Sequence, residues 1–405
     1  MSFVKLTLDD VCDLITCGVA KRPNYVDNGI PFLSARNVKN QKVVWDNYRY
    51  ISKDAHVELT KNNKPRVGDI LYTRVGSYGE AAIVDKNIEF SVFVSLTLIK
   101  PSNKIFNKYL TYYLNSPEIK ELAKKSISGS GVGNLNVSVV RKFPILLPPL
   151  PIQQKIVAKL DKIFAEIDKA ILATETNVRN TKDFLNNFIS EKLNKKNGKI
   201  IEFKKIIEVL TDYHANGSYK VLKKNVEIKS DKSFAWMVRS TDFENNFQNN
   251  FRYIDKKAYE FLKKSKIFGG EILMCKIGNA GEVYLMPKIS SPCSLSMNLF
   301  LIRVNKNICI TKFVYFFLIS NNGKLQIFNK LKGATTKTIT KENVKSLKIP
   351  LVDLETQKLF VKKIEEIEKI TNNLIKKYNH QIDLFNILRN SILNQAFNGE
   401  LVKAA

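Results

Sequence analysis

Two short stretches of this chain carry the same residue types in the same order. Gly68-Asp69-Ile70-Leu71 leads to Arg74-Val75-Gly76 and Gly79-Glu80, and 202 residues later (68 to 270) Gly270-Glu271-Ile272-Leu273 leads to Lys276-Ile277-Gly278 and Gly281-Glu282. The pattern G-[DE]-I-L-x-x-[KR]-[VI]-G-x-x-G-E puts a cation, glycines and small polar residues on one loop. Its glycines permit positive φ at a strand-loop-strand corner. Between them, Arg74, Ser77 and Tyr78 in one copy and Lys276 and Asn279 in the other could meet a phosphate or a base edge. Arg74 could equally pair with Glu80, and Lys276 with Glu282, in which case the motif only builds the fold. A second shared element, Phe32-Leu33-Ser34-Ala35-Arg36-Asn37-Val38 against Trp236-Met237-Val238-Arg239-Ser240-Thr241-Asp242-Phe243, adds Arg36 and Arg239 as comparable candidates. An arginine can grip guanine bidentately or anchor a phosphate, and the sequence leaves both jobs open.

Catalytic patterns are missing. His56, His214 and His380 fall at unrelated positions of the duplicate, and none has a partner at metal-ligand spacing, so they read as surface or core residues and no metal is expected. Gly129-Ser130-Gly131-Val132-Gly133 lacks the register and flanks of a nucleotide-binding loop and reads as a flexible loop. Glu118-Ile119-Lys120 is an E-x-K triplet, but no Pro-Asp lies upstream and the segment reads as helix. Neither paired carboxylates nor an Asn-Pro-Pro-aromatic motif occurs. The expectation is a chain with no active site and no cofactor.

The composition points to a polyanionic partner. The 405 residues are 44% hydrophobic and 25% charged, a globular balance with room for two or three domains, and 65 Lys+Arg against 38 Asp+Glu leave a net charge of +27. Nucleic acid comes ahead of an anionic membrane, because the basic residues are spread along the chain and not gathered beside an apolar span. The bland alternative is a lysine-rich, merely solvated surface. Five cysteines, Cys12, Cys17, Cys275, Cys293 and Cys309, form no C-x-x-C pair, so neither a disulfide framework nor a zinc ribbon is indicated. Asp9, Asp10 and Asp13 stand where a signal peptide would be apolar, and no run approaches the ~18 apolar residues of a membrane span. A cytoplasmic protein is expected.

Elements that would position the loops are duplicated too. Tyr109-Leu110-Thr111-Tyr112-Tyr113-Leu114 is matched 204 residues on (109 to 313) by Phe313-Val314-Tyr315-Phe316-Phe317-Leu318. A period this long is a repeated domain, since solenoid units repeat every ~20–50 residues. Residues 1–152 read as a first module with a mixed sheet and short helices. Its exit, Pro144-Ile145-Leu146-Leu147-Pro148-Pro149-Leu150-Pro151, reads as an extended strap. In 153–197, Val157, Leu160, Phe164, Ile167, Ile171, Thr174, Val178, Thr181, Leu185 and Phe188 step by three and four, a coiled-coil seam. A second module, 198–354, is followed by 355–405, where Val361, Ile364, Ile367, Thr371, Leu374, Tyr378, Phe385, Leu388 and Ile392 form a less regular stripe. A narrow stripe on a helix of ~60 Å needs a partner. The other copy in the same chain, running antiparallel, is the cheapest one, and the expected fold is α+β: two similar modules on a two-helix rod with quasi-twofold symmetry. The alternative is that each helix packs on its own module.

Taken together, the repeated loop, the strap Leu147-Pro148-Pro149-Leu150-Pro151-Ile152-Gln153-Gln154 opening a long helix, and the tail Leu393-Asn394-Gln395-Ala396-Phe397-Asn398-Gly399-Glu400-Leu401 resemble the specificity subunit of type I restriction-modification enzymes over nearly the whole chain. The second strap, Pro350-Leu351-Val352-Asp353-Leu354-Glu355-Thr356-Gln357, departs from the proline-rich form. The resemblance implies two target recognition domains, each reading one half of a split sequence in double-stranded DNA, and two helical spacers that fix the gap. It also implies partners: two methyltransferase subunits docked on the spacers and restriction subunits that cleave with ATP, so that methylation and cleavage lie outside this chain. Modules at the ends of a ~60 Å rod would address half-sites at most ~17 base pairs apart. The rival readings are a stand-alone nuclease or methyltransferase, and a coiled-coil DNA-binding scaffold without sequence discrimination.

Overall fold

Strand alternation sets the architecture. All four residues of strand Ile70–Thr73 are buried, and successive side chains of a strand point to opposite faces. Ile70 and Tyr72 enter one apolar core and Leu71 another. The repeat behaves alike: in strand Ile272–Cys275, Ile272 and Met274 enter one core, Leu273 and Cys275 a second. The computed structural model describes residues 4–19, 22–128, 133–194, 198–398 and 400. Gly129, Ser130, Gly131 and Val132 of the glycine-rich stretch, Gly399 and Leu401 of the C-terminal motif, and residues 1–3 lie outside the described residues.

The chain divides into two units, Met1–Glu175 with Asn379–Ala405, and Thr176–Tyr378. In unit one the central sheet runs Cys12–Cys17, Leu96–Pro101, Ile70–Thr73, Ala81–Ile83, with the hairpin Lys42–Val43 and Val38–Lys39 added at the edge. Asn40 and Gln41, at φ 52° and 61°, make the tight turn of that hairpin. The central sheet of unit two has the same order without the hairpin: Ile207–Asp212, Leu299–Val304, Ile272–Cys275, Val283–Leu285. A second sheet in each unit is built round one parallel pair, Ile30–Leu33 with Ser91–Val92, and Ala235–Val238 with Cys293–Leu295. Both straps are strands. Pro144–Leu147 pairs antiparallel with Val4–Thr7, and Lys348–Leu351, with a single proline, makes the same ladder to Lys199–Glu202.

The acid of the repeated motif closes the turn before the buried strand. Asp69 accepts from the Arg66 backbone N–H at 2.8 Å and pairs with Lys100 on the adjacent strand, and Glu271 accepts from Phe268 N–H at 2.8 Å and from Arg303 at 3.1 Å. The motif glycines Gly76, Gly79, Gly278 and Gly281 have φ of 86°, 75°, 81° and 91°, where a Cβ is strained. At Gly281 a Cβ would also lie 2.5 Å from Ile327 Cγ2, whereas at Gly278 it would meet nothing within 4 Å.

A buried glutamine starts each long helix. Gln153 is fully buried; its Oε1 accepts from Phe106 N–H at 2.7 Å, and its Nε2 donates to the carbonyls of Lys104 at 3.1 Å and Pro148 at 2.8 Å. Gln357 repeats this with Ile310 N–H at 2.8 Å and the carbonyls of Ile308 at 3.2 Å and Val352 at 2.8 Å. The helices themselves are Leu150–Asn194 and Leu354–Phe397, of 45 and 44 residues. Pro151 sits in a first turn, where its missing N–H costs nothing.

Each helix contributes one half to each unit. In unit one Val157, Leu160, Phe164 and Ile167 are buried with Leu393, Ala396 and Phe397, and Arg389 pairs with Asp168 while lying over Phe164. In unit two Ile189 and Leu193 share a core with Phe360, Val361 and Ile364, and Thr181 and Phe184 line one groove with Ile370 and Leu374. Rising numbers on one helix meet falling numbers on the other, so the pair is antiparallel. The expected stripe needs one correction. Leu374, in the groove of unit two, is 38% exposed, and Leu388 is 47% exposed where the tail turns Leu393, Ala396 and Phe397 toward the helix Asn107–Leu114 and Phe397 meets Tyr109 and Tyr113 edge-on.

Gln153→Leu and Gln357→Leu should each cost about 2–4 kcal/mol, since each strands one buried donor and two carbonyls. Urea unfolding checks this, and an unchanged midpoint would refute the latch. Gly281→Ala should destabilise by about 2 kcal/mol or more and Gly278→Ala by about 1, because only the first adds a clash to the φ strain. Equal losses would contradict that ranking.

Candidate nucleic-acid interface

The two motif loops stand on the same backbone bonds. Thr73 N–H donates to Glu80 O at 2.9 Å and Gly79 N–H to Thr73 O at 3.0 Å; in the repeat, Cys275 N–H donates to Glu282 O and Gly281 N–H to Cys275 O, both at 2.8 Å. Arg74 O accepts from Leu135 N–H and Lys276 O from Ile339 N–H, each at 3.0 Å. These bonds tie each loop to the segment that leads into a short helix, Val137–Arg141 or Lys341–Lys345.

The cations that follow point inward and differ in partner. Arg74 is 5% exposed and donates from Nε to Leu135 O at 2.9 Å and from Nη1 to Val94 O at 3.3 Å. Lys276 is 8% exposed and donates to Asp212 Oδ2 at 2.9 Å, with His214 Nδ1 at 3.2 Å; Lys341 takes the other Asp212 oxygen at 3.1 Å. Burial acts to raise the Asp212 carboxyl, and the two ammoniums outweigh it and hold its pKa below the ordinary value. The pairing with Glu80 or Glu282 that the sequence allowed is not what the structure contains. Glu80 Oε1 accepts from Gln41 N–H at 2.8 Å instead.

Ser77 is exposed at the first loop tip, and Tyr78 is tethered through its hydroxyl to Gly133 O at 2.7 Å. Ser77 and Arg36 line one cavity of about 650 Å³, together with Arg22, Arg49, Tyr25 and Phe93. Arg22 lies 5.7 Å from the Phe93 ring centroid and Arg49 5.9 Å from that of Tyr25. In unit two Asn279 lines a cavity of about 620 Å³ with Glu244, Glu282, Tyr284 and Lys337, and donates to Glu244 at 3.2 Å. Arg239 stands apart from that cavity's lining; its guanidinium donates to Asp242 Oδ1 at 2.7 Å and to Asn250 O. One scaffold thus carries a concavity with three arginines, Lys39 and one carboxylate, Glu80, in one unit, and one with two carboxylates, Glu244 and Glu282, beside Lys337 in the other.

Arg22, Arg49, Tyr25 and Glu244 lie outside the repeated motifs, so the repeat does not mark them. Only Tyr48-Arg49-Tyr50, an arginine between aromatics, offered a signal. Burial pushes the Cys12 and Cys293 thiols up to about 12 and Cys309 to about 11, so these three stay protonated at neutral pH. Among the described residues no group of three or more His, Cys, Asp or Glu could hold a metal ion, and no helix is long and apolar enough to cross a membrane.

Comparison with known proteins falls on the same two halves. The family model described as "Type I restriction modification DNA specificity domain" matches residues 2–176 and 201–384. The type I restriction enzyme EcoKI specificity subunit of Escherichia coli K12 is 22% identical over 93% of this chain and 84% of its own length. The EcoBI specificity subunit of Escherichia coli is 24% identical over 73% of this chain and 66% of its own. A solved chain described under "Structural basis underlying complex assembly and conformational transition of the type I R-M system" superposes with a TM-score of 0.68 at 14% identity, covering 98% of both chains, a likeness of fold. With both of its halves matched, the chain belongs to the type I restriction modification DNA specificity family.

Proposed function

We propose that this chain is the sequence-reading subunit of a type I restriction-modification complex and that it binds an asymmetric, bipartite target in double-stranded DNA. The observation behind this reading is the contrast between the two cavities: equivalent loops on the same backbone bonds, lined by Arg22, Arg36, Lys39 and Arg49 against the single carboxylate Glu80 in one unit, and by Glu244, Glu282 and Asn279 against the single cation Lys337 in the other. Donor-rich and acceptor-bearing surfaces suit different base edges. Arg36 and Ser77 in unit one and Asn279 in unit two face the DNA. Arg74, Tyr78, Arg239 and Lys276 hold the loops and turns in shape through the bonds they already make. Tethering makes the second contact intramolecular, so two weakly discriminating readers become one selective one.

In this reading the chain carries no active site and needs no cofactor. Two methyltransferase subunits dock on the long helices, restriction subunits join them, and all of the chemistry is theirs. The complex works in the cytoplasm. The long helices set the number of base pairs between the two half-sites.

Selection from randomised DNA, with the chain in complex with its methyltransferase partner, should return two different half-sites separated by a fixed gap. Equal binding to all sequences, tuned only by salt, would instead leave a DNA-binding scaffold. Methylation or cleavage by this chain alone would make it an enzyme. Deleting whole helical turns within 160–190 should shorten or shift the gap, and an unchanged gap would remove the helices' role as ruler.

A further inference from the structure

We propose that Arg36 reads a guanine in the half-site addressed by unit one, an assignment that rests on the proposed function. Arg36 belongs to a one-turn 3-10 helix, Ala35–Asn37, whose backbone is pinned from three sides. Ser34 N–H donates to Asn37 Oδ1 at 3.0 Å, and Asn37 Nδ2 donates to the carbonyls of Val44 at 3.2 Å and Asp46 at 2.9 Å. Ala35 N–H reaches Ser95 Oγ at 3.0 Å. Asn37 is only 2% exposed, so the turn is built into the module even though the Arg36 side chain points out of it.

That side chain makes no hydrogen bond, ion pair or ring contact among the described residues, in contrast to the other two arginines of its cavity. Arg22 rests on Phe93 and Arg49 on Tyr25. A guanidinium held against a ring face is fixed in place yet keeps its donors, which suits an anchor for phosphate. Arg36 is exposed and keeps all five N–H donors free of protein partners among the described residues, on a rigid base beside the Gly76-Ser77 loop tip. The base edge that accepts such a fork is guanine, through O6 and N7; adenine offers one acceptor and one donor there, and cytosine a donor.

The repeat supplies an internal control. In unit two the same capping pattern recurs with Arg239 N–H donating to Asp242 Oδ2 at 2.8 Å, so Arg239 occupies the place of Ser34 and Thr241 that of Arg36. Unit two therefore presents no arginine at this position, and the guanine contact is confined to one half of the target.

The test compares the wild-type chain with Arg36→Ala, Arg36→Lys and Arg22→Ala, each with its methyltransferase partner, in selection from randomised DNA followed by affinity measurements on single-base variants. One wild-type half-site should contain an invariant G·C pair. Arg36→Ala should cut discrimination at that pair about 10- to 100-fold and leave every other position intact, with Arg36→Lys in between. Arg22→Ala should weaken all sequences alike and lower the salt slope by about 1. The Arg36→Ala unfolding midpoint should match wild type, since the side chain is exposed and makes no hydrogen bond or ion pair among the described residues. A bipartite target whose positions all survive Arg36→Ala, or weaken uniformly, would overturn the guanine contact and leave the proposed function standing. A wild-type complex that selects no sequence would remove both.

Discussion

The amide side chains of Gln153 and Gln357 govern how this chain turns from sheet into long helix. Each accepts one backbone N–H and donates to two backbone carbonyls, so a single residue joins the end of the strap, the approach to the aromatic helix and the first turn of the spacer. Glutamine is suited to the position because one planar group carries both an acceptor and two donors. The three internal bonds offset the cost of taking the amide out of water, and they fix the direction in which the helix leaves. The module, the strap and the spacer therefore behave as one piece, and a loop tip can hold its place relative to the helix that starts beneath it.

Within each module the repeated motif divides its labour. Its acid and glycines build: Asp69 and Glu271 close a turn and tie it to a neighbouring strand, and the glycines adopt the positive φ that the corner requires. Its hydrophobic pair enters two cores at once. The cation holds the loop from below, through carbonyls in one copy and through Asp212 in the other. What differs between the two copies is the tip and the turn beside it, and the cavities they line differ in charge. A frame kept constant with changeable linings is what a pair of readers with unlike targets requires.

Much of this was legible from residues. Strand alternation in Ile70–Thr73, the helical spacing from Val157 to Ile167 and the duplicated straps are local patterns, and local patterns follow from backbone periodicity. The partners of Arg74 and Lys276 were not, because Leu135 and Asp212 lie 61 and 64 residues away along the chain. Leu388 was assigned to the seam on spacing alone, yet the tail's real neighbour is the helix Asn107–Leu114, which no period could reveal. Arg22 and Arg49 stayed hidden for the same reason: the fold gathers them round Arg36, and nothing in the repeat marks them.

The burial of Leu393, Ala396 and Phe397 in the core of unit one bears on how the protein is made. Unit one joins two segments that lie on either side of unit two, Met1–Glu175 and Asn379–Ala405, whereas unit two draws on the single span Thr176–Tyr378. Tyr109 and Tyr113 meet the Phe397 ring only when those two segments come together. Closing so long a loop carries an entropic cost that the continuous unit is spared, so unit one should be the slower of the two to complete.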